Sequence, residues 1–150
     1  MIELQIPGRG AVQLRHAVFD VNGTLATDGA LIDGVADRLA QLTDRITVHL
    51  LSADTHGKEF EIERQLGLSA ERLKPGGFER EQKAAFVQAL GAAQTAAIGN
   101  GSNDVEMLKA AMIGIAVIGR EGLSGEALAA ADVVVADVRD ALDLLLKPKR

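Results

Sequence analysis

The chain predicts an α/β fold, a parallel sheet with helices on both faces preceded by a β-hairpin, in a single domain spanning residues 1–150. Three observations carry that prediction. Helical and strand periodicities alternate from Ala17 onward, the strand segments are near-continuous apolar runs, and no repeat, low-complexity tract or Pro/Gly/Ser linker interrupts the 150 residues. Apolar strands alternating with helices are the pattern of a sheet buried on both faces. Hydrophobic residues make up 47% of the chain but aromatics only 3%, with four Phe and no Trp or Tyr, so the core is built from small side chains that let helices lie close to a sheet. A chain of this length buries about 68–70% of its unfolded surface, enough for a core without staples.

The elements follow in order. Ile2, Leu4 and Ile6 alternate with polar residues, Gly8-Arg9-Gly10 supplies a turn, and Val12 and Leu14 alternate again, which is a hairpin. Ala17-Val18-Phe19 leads as a buried strand into Asp20. Asp33 is placed to cap a helix with Val35, Leu39 and Leu42 on one face, and Ile46 to Leu51 follows as a strand. A second helix carries Phe60, Ile62 and Leu66 and ends near Gly67, and Arg72-Leu73-Lys74 reads as a short strand. A helix from Arg80 to Leu90 stops at Gly91 before the strand Thr95 to Ile98. Asn103 with Glu106 resembles a capping box opening a helix with Val105, Leu108 and Met112. Ile113 to Ile118 and Val133 to Val135 read as buried strands. Val138, Ala141, Leu142, Leu145 and Leu146 make the last helix the clearest.

Composition excludes several functions. Without cysteine there is no disulfide, thiolate metal site or cysteine nucleophile, and a reducing, cytoplasmic setting is expected. Residues Met1 to Pro7 lack a signal-peptide pattern, and no apolar run approaches the roughly 18 residues that span a bilayer. A net charge of −5 and few aromatics argue against nucleic acid and membrane as partners. Lys147, Lys149 and Arg150 read as a solvated basic end.

In a parallel sheet, ligands bind beyond the C-terminal strand ends, near the point where strand order reverses. The polar residues expected there are Asp20 with Asn22-Gly23-Thr24, then Ser52, then Gly99-Asn100-Gly101-Ser102-Asn103-Asp104, with Lys83 near the start of the preceding helix. A carboxylate, a hydroxyl, an ammonium and a second carboxylate are the parts needed to handle a phosphoryl group. A carboxylate attacks phosphorus to form an aspartyl-phosphate. Cations and fixed donors then carry the charge on the equatorial oxygens. Magnesium suits such an oxygen-rich site. Gly23 and Gly101 let the backbone turn tightly around a ligand.

The motif Val18-Phe19-Asp20-Val21-Asn22-Gly23-Thr24-Leu25 resembles the first motif of the haloacid dehalogenase-like hydrolase superfamily, Asp-x-Asp-Gly-Thr-Leu/Val after an apolar strand. His49-Leu50-Leu51-Ser52 looks like the second, Lys83 fits the third, and Gly99-Asn100-Gly101-Ser102-Asn103-Asp104 is similar to the fourth, Gly-Asp-Gly-x-Asn-Asp. The resemblance implies a three-layer Rossmann-like domain and a phosphatase with Mg2+ as cofactor. It makes Asp20 the nucleophile and a metal ligand, the carbonyl of Asn22 a second ligand, and Asn100 and Asp104 the rest of the metal site. Gly23, Ser52, Ala53 and Lys83 would hold the phosphate, with Thr24 and Asn103 in support. Gly99 to Leu108 with Ser52-Ala53-Asp54 looks most like the phosphorylation domain of P-type ATPases and their soluble relatives. Asp20 to Gly29 is also similar to small capless phosphatases of sugar phosphates. The two readings stay open.

Two departures replace an acid by its amide. Asn22 stands where the family carries the acid that protonates the leaving group, and Asn100 stands where it places a metal-binding Asp. An amide relays no proton, so slow hydrolysis is expected, and a non-catalytic phosphoacceptor or phosphate-sensing module is the alternative. No cap domain fits between Leu25 and Leu51 or between Ala53 and Gln82, where secondary structure takes up the chain. An open site implies either a large substrate, such as a phosphoprotein, or a homo-oligomer whose neighbour forms the lid; a phosphorylated small molecule is the other substrate class. Taken alone, Asn22-Gly23 is a common hairpin turn, and Lys74 rivals Lys83 because it too follows a strand. His16, His49 and His56 lack metal-ligand spacing and read as packing or surface residues, while Asp28, Asp33 and Asp54 read as turn or capping residues.

Overall fold

The structure is a computed structural model that describes residues 1–53 and 59–147. Asp54, His56, Lys149 and Arg150, each given a reading from the sequence, lie outside the described residues.

Strands β1 (Ile2–Ile6) and β2 (Gly10–Leu14) form the expected antiparallel hairpin, with Leu4 opposite Val12. β3 (His16–Asp20) begins the main sheet, and β4 (Ala26–Thr27) with β5 (Ala30–Leu31) forms a small second hairpin directly after it. The chain continues through α1 (Val35–Thr43), β6 (Thr47–Ser52), α2 (Phe60–Leu66), β7 (Ala70–Arg72), α3 (Glu79–Leu90) and β8 (Thr95–Gly99). It closes with α4 (Val105–Ala110), β9 (Ile113–Val117), α5 (Gly125–Ala130), β10 (Val133–Val135) and α6 (Val138–Leu146).

The main sheet has six strands in the order β10-β9-β8-β3-β6-β7, each pairing parallel. From β3 the chain first builds outward through β6 and β7, then returns to the other side of β3 for β8, β9 and β10. The order therefore reverses at β3, which places Asp20 where a ligand crevice forms in such sheets.

The alternation of strand side chains splits the interior in two. Ala17, Phe19, Val48, Leu50, Ala96 and Ile98 face a core shared with α1, α6 and the β1–β2 hairpin. Val18, Leu51 and Ala97 face the other way, onto Val87 of α3 and Val105, Met107 and Leu108 of α4. Small residues allow this close approach, as the composition predicts.

Several boundaries differ from the sequence reading. The residue before α1 is Gly34 rather than Asp33, in a left-handed conformation (φ 86°) that glycine adopts without strain. The seventh strand lies at Ala70–Arg72 instead of Arg72–Lys74, where Leu50, Leu51 and Ser52 are its partners. Residues Ser102–Asp104 form a 3-10 turn, so the following helix starts at Val105 without a side-chain cap from Asn103, and it ends before Met112. Helix α5, capped by Ser124 Oγ at 3.4 Å from the Ala127 nitrogen, and the β4–β5 hairpin have no counterpart in the reading from sequence.

Candidate active site

Lys83 is the centre of the site. Its helix, α3, starts at the C-terminal edge of the sheet and runs back across it, which drives the ammonium into the gap between β3 and the turn after β8. There Lys83 Nζ donates to Asp20 Oδ1 at 2.8 Å and to Asp104 Oδ1 at 2.7 Å. The side chains of Lys83 and Asp104 have 0% exposure, while Asp20 keeps 11%, so Asp20 is the member of this trio that reaches the surface. Lys74, the rival by position, is exposed and meets Gln82 through its backbone.

The remaining carboxylate oxygen of Asp104 is committed locally. Its Oδ2 accepts from the backbone nitrogens of Asn100 and Gly101, each at 3.0 Å, tying the turn after β8 to the ion pair. This is possible because position 99 is glycine: a Cβ there would lie 2.5 Å from Asp104 Cγ.

The turn after β3 completes the opposite wall. The carbonyl of Val21 accepts from the nitrogens of Leu25 and Ala26, at 3.0 and 3.2 Å, and Gly23 N donates back to Ala26 O at 2.9 Å. Gly23 takes φ 80°, and a Cβ on it would stand 2.8 Å from Asn100 Nδ2, so both the conformation and the close approach require glycine. Buried Thr24 donates to either Asp20 Oδ2 (3.4 Å) or Asn100 Oδ1 (3.2 Å), joining the two turns. Asn100 Nδ2 in turn donates to Gly122 O at 3.0 Å.

Ser52 is buried at the end of β6, beside β3, and Ala53 is exposed next to it. Asn22 is exposed, and Asn103 is half-buried on the 3-10 turn. Glu59 is a participant that the sequence did not reveal: it is buried, and its carboxylate adds to the negative field at Asp20. No hydrophobic pattern or motif marks it, since the residue merely precedes an ordinary helical segment.

Burial is the main force that pushes the Asp20 carboxyl up to about 7, and the charge of Asp104 adds to it, against the opposing pull of Lys83. Burial by itself would lower Lys83, but the two carboxylates hold its ammonium above the ordinary value. Asp20 and Asp104 thus share the ammonium of Lys83, two carboxylates on one cation, an arrangement that suits a divalent metal beside Asp20. Among the described residues no group of three or more acidic, His or Cys side chains is placed to hold a metal. An ion here would draw on Asp20, carbonyl oxygens and water, a donor set that fits magnesium, which keeps several waters.

A cavity of about 410 Å³ opens beside Thr24, between the β4–β5 hairpin and the loop after β9, with Asp28, Arg120 and Arg139 in its walls. A larger one of about 620 Å³ lies by Arg15, His16 and Thr47, at the other end of the strands, so size does not locate the site. There His16 Nδ1 and His49 Nε2 are 3.2 Å apart, and His49 stacks edge-on against Phe86, a packing role.

A buried Asp-Lys-Asp trio thus stands at the reversal point of a parallel α/β sheet. Known proteins share this fold and part of this sequence. The profile of the haloacid dehalogenase-like hydrolase family matches residues 82–141. The uncharacterized protein MJ0073 of Methanocaldococcus jannaschii is 54% identical over 54 residues, which are 36% of this chain and 58% of that protein. The chain thus matches little more than half the length of that relative. The 3-deoxy-D-manno-octulosonate 8-phosphate phosphatase of Moraxella catarrhalis, solved with magnesium, phosphate and its sugar, superposes with a TM-score of 0.67 at 19% identity, covering 90% of this chain and 87% of that one. A phospho-aspartyl intermediate analogue of phosphoserine phosphatase superposes with a TM-score of 0.68 at 16% identity, covering 89% and 99%. The match to the haloacid dehalogenase-like hydrolase family takes in Lys83 and Asp104, the fold is the one these solved phosphatases share, and among the described residues no insertion forms a cap domain.

Proposed function

We propose that the chain is a magnesium-dependent phosphohydrolase that forms an aspartyl-phosphate on Asp20. The observation that carries this reading is Lys83 Nζ bridging Asp20 and Asp104 at the end of the central strand. An Asp20 oxygen attacks phosphorus while the bond to the leaving oxygen breaks and that oxygen takes up a proton. Water then attacks the phosphoenzyme at phosphorus, the bond to Asp20 breaks, and inorganic phosphate departs with the carboxylate restored. Lys83 and Ser52 face the charge on the transferring oxygens. A magnesium ion held by Asp20, the Asn22 carbonyl and Asn100, next to Asp104, would neutralise that charge further.

The amide of Asn22 supplies no proton, so the leaving group draws on water. General acid–base catalysis is worth about 10² to 10⁴ in rate, which sets the expected deficit and favours substrates with good leaving groups. The structural relatives named above act on small phosphorylated molecules, and the same class, with phosphoproteins as the other, is the substrate range to screen. The open site also supports a homo-oligomer, which light scattering after size exclusion would decide. The absence of cysteine fits a cytoplasmic protein, and among the described residues no helix is long and apolar enough to cross a membrane.

The second reading, a phosphoacceptor without turnover, is favoured by the two amides together with the full commitment of Asp104 to Lys83 and backbone nitrogens. One experiment separates them. The protein and Asp20→Asn are incubated with magnesium and p-nitrophenyl or acetyl phosphate. Turnover that the mutant loses supports the hydrolase, a stable phosphoenzyme without turnover supports the acceptor, and neither product across a substrate panel sinks both.

A further inference from the structure

The two positions where an amide replaces an acid are both followed by glycine, Asn22-Gly23 and Asn100-Gly101. Asparagine is one of the labile side chains of proteins, and a following glycine, with no Cβ, leaves its backbone nitrogen unobstructed for attack on the asparagine amide. The two amides sit in opposite surroundings. Asn100 is half-buried and held at both ends, by Thr24 at 3.2 Å and Gly122 at 3.0 Å. Asn22 is exposed, and its amide makes no hydrogen bond with any described residue.

We propose that Asn22 is a self-modification site, at which deamidation supplies the carboxylate that the first motif otherwise lacks. The value of that carboxylate rests on the phosphohydrolase reading, whereas the modification itself does not. The Gly23 nitrogen loses its proton and attacks Asn22 Cγ; the bond from Cγ to the amide nitrogen breaks, and ammonia leaves with the proton. Water then adds to the five-membered imide at Cγ, the new bond to the Gly23 nitrogen breaks, and an aspartate remains at position 22 with the backbone intact. One water is consumed, one ammonia is released, and nothing is oxidised or reduced.

The fold sets the pace. Gly23 N donates to Ala26 O at 2.9 Å, so ring closure waits for that bond to open, and the acid accumulates with the age of the molecule. At the second site Gly101 N is held by Asp104 Oδ2 at 3.0 Å while the side chain is clamped as well, so Asn100 keeps its amide.

The test is to hold the full chain in warm, mildly alkaline buffer and map its peptides by mass spectrometry with fragmentation that distinguishes aspartate from its β-linked isomer. Aspartate is expected to build up at position 22 while Asn100 stays intact, with Asn22→Gln, whose longer side chain closes the ring far more slowly, unchanged. Turnover of p-nitrophenyl phosphate should rise with the aspartate fraction in the wild type only. An intact Asn22 under conditions that deamidate an unfolded peptide of the same sequence overturns the proposal. So does loss of the Asn100 amide first, or a product that is only the β-linked isomer. If aspartate accumulates but neither the aged protein nor freshly made Asn22→Asp turns over phosphate, the modification stands and the hydrolase reading fails.

Discussion

Asn100 donates its side-chain amide to the carbonyl of Gly122 at 3.0 Å, and its own backbone carbonyl accepts from Ser124 N at 2.9 Å. The amide therefore fastens the loop between β9 and α5 to the site, a task that a carboxylate cannot perform because it has no hydrogen to donate. Asn100→Asp should leave the Gly122 carbonyl facing a charge and cost about 1–3 kcal/mol. Trypsin should then cut after Arg120 faster than in the wild type, and urea unfolding should show the loss. Unchanged cleavage would mean that the loop is held by other contacts.

Removing Lys83 strands two buried carboxylates. Breaking a buried ion pair by deleting one partner costs about 3–5 kcal/mol, so Lys83→Met is expected to lower the urea midpoint by that equivalent and to abolish phosphoenzyme formation. Lys74→Met, at an exposed position, should leave the unfolding curve in place.

Gly99→Ala tests the packing behind the ion pair. The new methyl would stand 2.5 Å from Asp104 Cγ, so either β8 or the turn that carries Asp104 has to move. Overpacking of this kind costs about 1–3 kcal/mol. Gly125→Ala, where a Cβ meets nothing within 4 Å, is the control and should be neutral or slightly stabilising in calorimetry.

The last helix offers a pH test. Asp137 caps α6 and is held below the usual carboxylate range by its hydrogen bonds to Arg139, with backbone and side-chain contacts at 2.8 Å. A depressed folded-state value means that the contribution is present above the unfolded value and disappears as pH falls through the folded one. Asp137→Ala should therefore cost about 1 kcal/mol near neutrality, typical of an N-cap. The difference from wild type should close below about pH 3.9, the ordinary aspartate value. A gap that persists in acid would assign the effect to packing.

Much of the fold was legible because its signals are local. The Val18-Phe19-Asp20 strand, the hairpin and the stripe from Val138 to Leu146 each announce themselves within a few residues. Helix α5 does not, since Gly125 to Ala130 is short, rich in alanine and has only Ala127 buried. The seventh strand slipped by two residues because Ala70–Arg72 carries no alternation and is fixed by pairing with Leu50 to Ser52. At the site, the motif spacing brought Asp20, Lys83 and Asp104 into one reading. Invisible in it were the bonds that cross between segments, such as Thr24 to Asn100 and Asn100 to Gly122, and the burial of Glu59, because these depend on how loops meet in space.

The Asp20-Lys83-Asp104 relay joins residues 63 and 21 positions apart and sits where β3 meets strands laid down on both of its sides. Contacts of such sequence separation form only after loop-closure entropy has been overcome. The candidate site thus depends on long-range contacts that the chain completes only once both sides of the sheet are in place. A chain that has built the hairpin and β3 to β7, but has not docked α3 and the turn after β8, holds Asp20 without its ammonium or its second carboxylate. If Asp20 accepts a phosphoryl group as proposed, that competence reports complete folding, and a newly made or partly unfolded chain stays chemically silent.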